Sequence, residues 1–224
     1  MTFKKEADKQ KQTEETLHKL VKDIDDNPHD YHTYYDLSVF LIQLQSYTQA
    51  EELLMKALGL FADRSKKAKN TLTYGLGNVY YSAGETNKAI QQFQQVTDKS
   101  LQFDAYVMLA QSYMAQNDYK RALIFLLTAQ PQAKQDESLN LLIGQCLLAE
   151  GDFAQAANYY EKVLKSNPDQ KEANFSCGLI AMTTDGDYKT YFNKVEQLDP
   201  VYFKEQQSKI ADIEKFIQIR DKKK

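Results

Sequence analysis

The stretch YGLGNVYYSAGETNKA, residues 74–89, carries three glycines, Gly75, Gly77 and Gly84. A G-x-G serves two physical ends: it bares backbone to a phosphate, or it lets two helices touch. A dinucleotide fingerprint needs a preceding strand, a third glycine and an acidic residue further on. Here residues 65–73 are polar and no G-K-[ST] follows. Gly77 therefore reads as a helix-packing position and Gly84 as a turn, with Gly75 left unexplained, and the rest of the chain supports that by repeating the same frame.

A small residue is followed twelve positions later by alanine in four places: Ser38 with Ala50, Gly77 with Ala89, Ala110 with Ala122, and Gly144 with Ala156. The first frame reads Tyr34-x-x-Leu37-Ser38-x-x-Leu41, then Ala50-x-x-x-Leu54-x-x-Ala57. The second is Thr73-x-x-Leu76-Gly77-x-x-Tyr80, then Ala89-x-x-x-Phe93. The third is Tyr106-x-x-Leu109-Ala110-x-x-Tyr113, then Ala122-x-x-x-Leu126-x-x-Ala129. The fourth is Asn140-x-x-Ile143-Gly144-x-x-Leu147, then Ala156-x-x-x-Tyr160, closing at Asn167-Pro168. Apolar residues at i, i+3, i+4 and i+7 in each half predict two amphipathic helices. Short polar turns, 45–47, 83–85, 116–118 and 150–152, separate them.

This pattern resembles the tetratricopeptide (TPR) repeat, W-x₂-L-G-x₂-Y…A-x₃-F…P. Four copies in register cover residues 31–168. A fifth, degenerate copy places Cys177-Gly178 at the Leu-Gly position and Asp185-Gly186-Asp187-Tyr188 at the turn. It ends at Asp199-Pro200, with Tyr191 where the packing alanine belongs. The chain as a whole is similar to the small stand-alone TPR proteins of bacteria. The resemblance implies an all-α fold, a right-handed α-solenoid of helical hairpins with capping helices. The expected organisation is a tail and capping helix at 1–28 and an array at 29–200, with repeats at about 31–64, 70–103, 103–136, 137–170 and 171–200. A capping helix with a basic tail follows at 201–224. Leu17, Leu20, Val21 and Ile24 mark the first cap, a helix over 13–27; Ile210, Ile213, Phe216, Ile217 and Arg220 mark the last. Terminal units with one polar face suit a stacked array.

Composition narrows the function classes. With 42% hydrophobic and 12% aromatic residues the chain has material for a core, and four prolines are too few for a turn-dense all-β protein. A net charge of −3 supplies no basic field for nucleic acid or anionic lipid, and 222–224, three lysines, reads as a frayed tail. Cys146 and Cys177 lie in apolar helical patterns without a C-x-x-C, so two reduced buried thiols are expected. Residues 1–16 hold no apolar signal region and no apolar run is long enough for a bilayer, which predicts a cytoplasmic protein without membrane contact.

No catalytic constellation emerges. His18, His29 and His32 are confined to the N-terminal region, and His29 with His32 lacks the further ligands a zinc site wants. Asp185-Gly186-Asp187 lacks the alternating ligands of a calcium loop. Neither enzyme activity, metal nor cofactor is expected.

The resemblance also implies that the second, fifth, ninth and twelfth positions of each first helix face a concave groove. The residues there are Tyr35, Tyr74, Val107, Leu141 and Phe175 at the fifth, and Val39, Asn78, Gln111, Gln145 and Leu179 at the ninth. Ile42, Tyr81, Met114, Leu148 and Met182 stand at the twelfth. Tyr35, Tyr74, Asn78, Tyr81, Val107, Gln111, Met114, Leu141, Gln145 and Leu148 are the candidate peptide-binding residues. Amides donate and accept at once, which suits a peptide backbone. The basic clamp that holds chaperone C-termini is absent, because Tyr35, Asp104 and Met108 occupy its lysine and arginine positions. The function implied is a non-catalytic adaptor that binds a peptide or helical segment of another protein. The alternatives are a helical-repeat RNA-binding protein, and a self-associating scaffold whose groove is filled by its own C-terminal helix.

Overall fold

The computed structural model describes residues 2–184 and 186–221, without the side chains of residues 2–7, 216, 220 and 221. Asp185 of the fifth turn, the Phe216 and Arg220 side chains and the lysines at 222–224 lie outside that description. Among the described residues all regular structure is helical. The chain divides into two compact units, Met1–Asp118 and Tyr119–Lys224.

In the first unit a single helix, α1 (Thr2–Asp26), precedes two hairpins and a further first helix. These are α2 (Tyr31–Gln43) with α3 (Tyr47–Phe61), α4 (Lys66–Ser82) with α5 (Thr86–Phe93), and α6 (Lys99–Ala115). Each helix packs on the next, and first helices also meet first helices, α2 on α4 and α4 on α6. The N-terminal helix starts at Thr2, where the sequence pattern placed its start near residue 13. Residues 2–12 lack apolar periodicity but are rich in helix formers, and the Lys11–Glu15 and Gln10–Glu14 pairs brace that segment one turn apart.

The second unit runs α7 (Tyr119–Ala129), a 3₁₀ turn (Gln130–Gln132), α8 (Glu137–Ala149), α9 (Phe153–Ser166), α10 (Lys171–Thr183), α11 (Tyr188–Leu198), α12 (Pro200–Glu205) and α13 (Gln207–Asp221). Helices α8 and α9 form one hairpin and α10 and α11 the next, α9 packing on α10. The single C-terminal cap expected from the pattern is two helices, separated at Gln206.

The turns of the first four copies share one backbone solution. Gln45, Gly84, Asn117 and Gly151 have φ of 58°, 78°, 59° and 81°, each seven residues after its small packing residue. The following N–H reaches back to a first-helix carbonyl, as in Ser46 to Leu41 (2.9 Å), Glu85 to Tyr80 (2.8 Å), Asp118 to Tyr113 (2.9 Å) and Asp152 to Leu147 (2.9 Å). This is the left-handed helix stop that satisfies orphan carbonyls. The next helix starts two residues on, with Asp152 capping the Gln155 N–H in the fourth turn.

Close approach within a hairpin is set by the small residue. A Cβ on Gly77 would stand 2.4 Å from the Phe93 ring, and one on Gly144 would stand 2.8 Å from Tyr160. In the fifth copy a Cβ on Gly178 would stand 2.4 Å from Phe192. That contact corrects the expected register. The aromatic arrives fourteen residues after the glycine instead of sixteen, so the position four before it, the alanine's place, is Tyr188 and not Tyr191. At the start of α8 and α10, Asn140 and Asn174 stand where the repeat pattern has tryptophan and tie the incoming loop down. The Asn140 amide donates to the Lys134 and Asp136 carbonyls (3.1 and 2.7 Å). The Asn174 amide donates to those of Pro168 and Gln170 (2.9 and 2.8 Å).

Candidate functional site

The packed side of each first helix is filled by its Leu-small pair: Leu37, Leu76 and Leu109 are buried, with Ser38, Gly77 and Ala110 beside them. One step round the helix lie the fifth, ninth and twelfth positions, in line because helical neighbours recur at three and four residues. In the first unit Tyr35, Tyr74, Asn78, Tyr81, Val107, Gln111 and Met114 are all half-buried. So are Leu141, Gln145 and Leu148 on α8 in the second.

Helices α2, α4 and α6 bring part of this set together. The Tyr35 ring lies across the α4 backbone at Gly75, where an added Cβ would come within 3.2 Å of the ring and of Leu54 Cδ1. Gly75 thereby has its reason: a Cβ there would press the Tyr35 ring and Leu54 back by a few tenths of an ångström. Tyr74 packs on Phe93, ring centroids 5.6 Å apart. Burial, then the Asp104 carboxylate and Tyr35, push the Tyr74 phenol up to about 12, while the Asn78 side chain one turn on offsets part of the rise. Burial, then the Asp36 and Asp104 carboxylates, raise Tyr35 as well. Both phenols thus hold their protons more tightly, and the same carboxylate on α6 contributes to each rise. The side chains of Gln111 and Gln145 make no hydrogen bond within the protein among the described residues.

The same stripe has a different fate on α10. Phe175, Leu179 and Met182, expected to line an open groove, are buried at 2%, 8% and 6% exposure in a cluster with Phe192 and Val195. The cover is the chain's own C-terminal segment: Tyr202, Phe203, Ile210, Ile213 and Ile217 pack against that cluster. Phe203 sits 6.5 Å from Phe175 and 5.8 Å from Phe192. Tyr202 stands edge-on to Phe175 at 6.0 Å, and burial pushes its phenol up to about 12. Lys171 clamps the junction, 2.6 Å from the Asp199 carboxylate and 4.8 Å over the Tyr202 ring. The sequence pattern left out Tyr202 and Phe203; the signal that marks them is Asp199-Pro200, where Asp199 caps the Tyr202 N–H and Pro200 opens a helix.

Outside these faces the chemistry is quiet. Among the described residues no three His, Cys, Asp or Glu side chains group as metal ligands, and no helix is long and apolar enough to cross a membrane. His29 and His32 are exposed. Cys146 and Cys177 are buried free thiols, pushed up to about 12 by burial and then by Glu150 and Glu161 respectively. Burial in apolar surroundings is the setting of structural rather than reactive thiols.

Known proteins agree with the helical-hairpin reading. Tetratricopeptide repeat profiles match residues 31–64, 74–137 and 141–189. No curated protein sequence matches the chain. Among solved structures it is similar to YrrB, described as a TPR protein with an unusual peptide-binding site, at 22% identity and a TM-score of 0.66. That match covers 85% of this chain and 97% of YrrB. It is also similar to PilF of Pseudomonas aeruginosa, at 16% identity and a TM-score of 0.73 over 90% of this chain and 91% of PilF. A crystal structure of MamA matches at 19% identity and a TM-score of 0.64, over 80% and 94% of the two chains. Repeated frame, shared turns and matched profiles lead to one assignment: the chain belongs to the tetratricopeptide repeat family.

Proposed function

We propose that the protein is a non-catalytic adaptor that holds a segment of a partner protein on the stripe of its first helices. In the first unit the contact residues are Tyr35, Tyr74, Asn78, Tyr81, Val107, Gln111 and Met114; in the second they are Leu141, Gln145 and Leu148. The observation that carries this reading is the contrast between α10 and its counterparts. On α10 the stripe is buried beneath an apolar helical segment, whereas on α2, α4, α6 and α8 the same positions stand half-exposed. A face that takes Ile210, Ile213 and Ile217 from its own chain is suited to an amphipathic helix with the same spacing. Solvent-facing apolar side chains beside unpaired amides are a common signature of interfaces. The peptide-binding site named for YrrB is consistent with this use of the fold.

The test is affinity capture from cell lysate with wild type beside Asn78→Ala/Gln111→Ala and beside Gln145→Ala. The expected result is loss of partners with the first variant, the second, or both. Recovery of the same partners at the same strength by all three proteins overturns the assignment of these faces.

A further inference from the structure

The three first helices of the first unit share an unusual distribution of charge. Helix α2 contains no lysine or arginine, α4 has them only at Lys66, Lys67 and Lys69, and α6 only at Lys99, its first residue. Beyond the first turns, Asp36 and Asp104 are the only acidic or basic residues on these helices. Both are exposed, and neither has an ion-pair partner among the described residues. Lys67, seven residues before Tyr74 on the same face, stands near the start of α4 and, after the Ser100 hydrogen bonds, helps to lower the Asp98 carboxyl. The middle of this face is therefore anionic, with two tyrosine rings beside the charge: Tyr35 seated on Gly75, and Tyr74 on the next helix. Asp104 stands exposed near the start of α6, the helix that packs on α4 beside these rings, and its charge raises both phenols.

We propose that this notch selects a lysine or arginine carried by a helical segment of a partner protein, its cation lying against the Tyr35 and Tyr74 rings with Asp104 as counter-charge. The proposal deepens the adaptor reading and rests on it. Electron-rich ring faces attract cations, most of all Lys and Arg. A carboxylate at the edge adds a charge-assisted hydrogen bond. Val39, Ile42, Tyr81 and Met114, half-buried on the same helices, supply apolar surface along which the aliphatic stem would lie. The same carboxylates repel an acidic segment or a phosphate backbone, so selectivity is built from repulsion as well as attraction. This is the reverse of a basic clamp for a terminal carboxylate.

The test uses the full chain and three fluorescein-labelled, acetylated helical peptides with isoleucines at i, i+3 and i+7. They differ at one neighbouring position, which is lysine, norleucine or glutamate. Fluorescence polarisation at low salt is expected to rank them lysine, norleucine, glutamate, with roughly tenfold between the extremes, a gap that narrows as salt rises. Asp104→Asn, an exposed and nearly isosteric change, should bring lysine and glutamate peptides to within about twofold and leave the norleucine peptide unchanged. If wild type binds all three equally while Asn78→Ala/Gln111→Ala weakens all three, the adaptor face stands and the cation notch is overturned. If no peptide binds saturably, or binding ignores the amide variant, both fall. Salt-sensitive self-association that Asp104→Asn abolishes, read by analytical ultracentrifugation, would make a second copy the cation donor and overturn the choice of a different protein.

Discussion

Phe93 decides how small residue 77 must be. In the first and third frames the residue sixteen positions after the small one is leucine, Leu54 after Ser38 and Leu126 after Ala110. In the second and fourth it is aromatic, Phe93 after Gly77 and Tyr160 after Gly144. Glycine thus goes with a ring and a Cβ with a leucine. Gly77→Ala should lower stability by about 1–3 kcal/mol in urea denaturation through overpacking. The Gly77→Ala/Phe93→Leu double variant should recover much of that loss, a coupling that a double-mutant cycle reads directly. The cysteines give a second prediction at this scale. With Cys146 at 0% and Cys177 at 5% exposure, neither thiol should react with a disulfide reagent at pH 8 in the native protein, and both should react in urea. The small-residue frame was legible in the sequence because its spacing repeats. The purpose of Gly75 was not, because the ring it accommodates, Tyr35, belongs to another repeat and no within-repeat period records that contact.

Among the elements, α13 is held differently from the repeats. Its Ile210, Ile213 and Ile217 are only partly buried, and Ile219 is 55% exposed, whereas α10 beneath contributes fully packed side chains. Local opening is drawn from such weakly packed segments. Ile213→Asp should free α13, raising amide exchange in residues 207–221 and dye binding at the uncovered Phe175, Leu179 and Met182, while exchange in α2–α5 stays as in wild type. Unchanged exchange in α13 would contradict the packing described. The sequence reading found a C-terminal amphipathic helix but set Phe175, Leu179 and Met182 in an open groove. Periodicity shows which residues share a face; it carries no information on what a later, non-repeating segment will cover. The shortened fifth copy was misaligned for a related reason, since two residues lost near its turn shift the register of everything after it.

For the whole molecule, buried tyrosines share the response to alkali with the two buried thiols. The chain has fifteen tyrosines and no tryptophan. Tyr74, Tyr80 and Tyr202 are each pushed up to about 12 from the ordinary value of 10, chiefly by burial, with Tyr80 also donating to the Glu51 carboxylate (2.7 Å). These groups hold their protons more tightly folded than unfolded. Their contribution is therefore complete below pH 10 and is lost as pH rises from 10 through 12. The melting temperature should fall steeply across that window, and tyrosinate absorbance should show a fraction of the rings ionising only with unfolding. Coincidence of the whole titration with the free-tyrosine curve would refute this. Family and fold were legible at this scale because the frame recurs four times. The anionic character of the α2, α4 and α6 face was hidden, since a net charge of −3 averages over lysines gathered at helix starts.

The matched sizes across each hairpin also bear on how such a chain can be rearranged. Moving the α6 segment into the place of α4 would carry Ala110 to the position of Gly77 and set a methyl group into the Phe93 ring. Shuffling by whole hairpins preserves the fitted pairs within each hairpin and tests only contacts between hairpins, such as Tyr35 on Gly75, whereas exchange of single helices breaks both kinds. Heredity and design are constrained alike: the smallest unit that carries its own size match here is the helix pair, even though the visible motif belongs to one helix at a time.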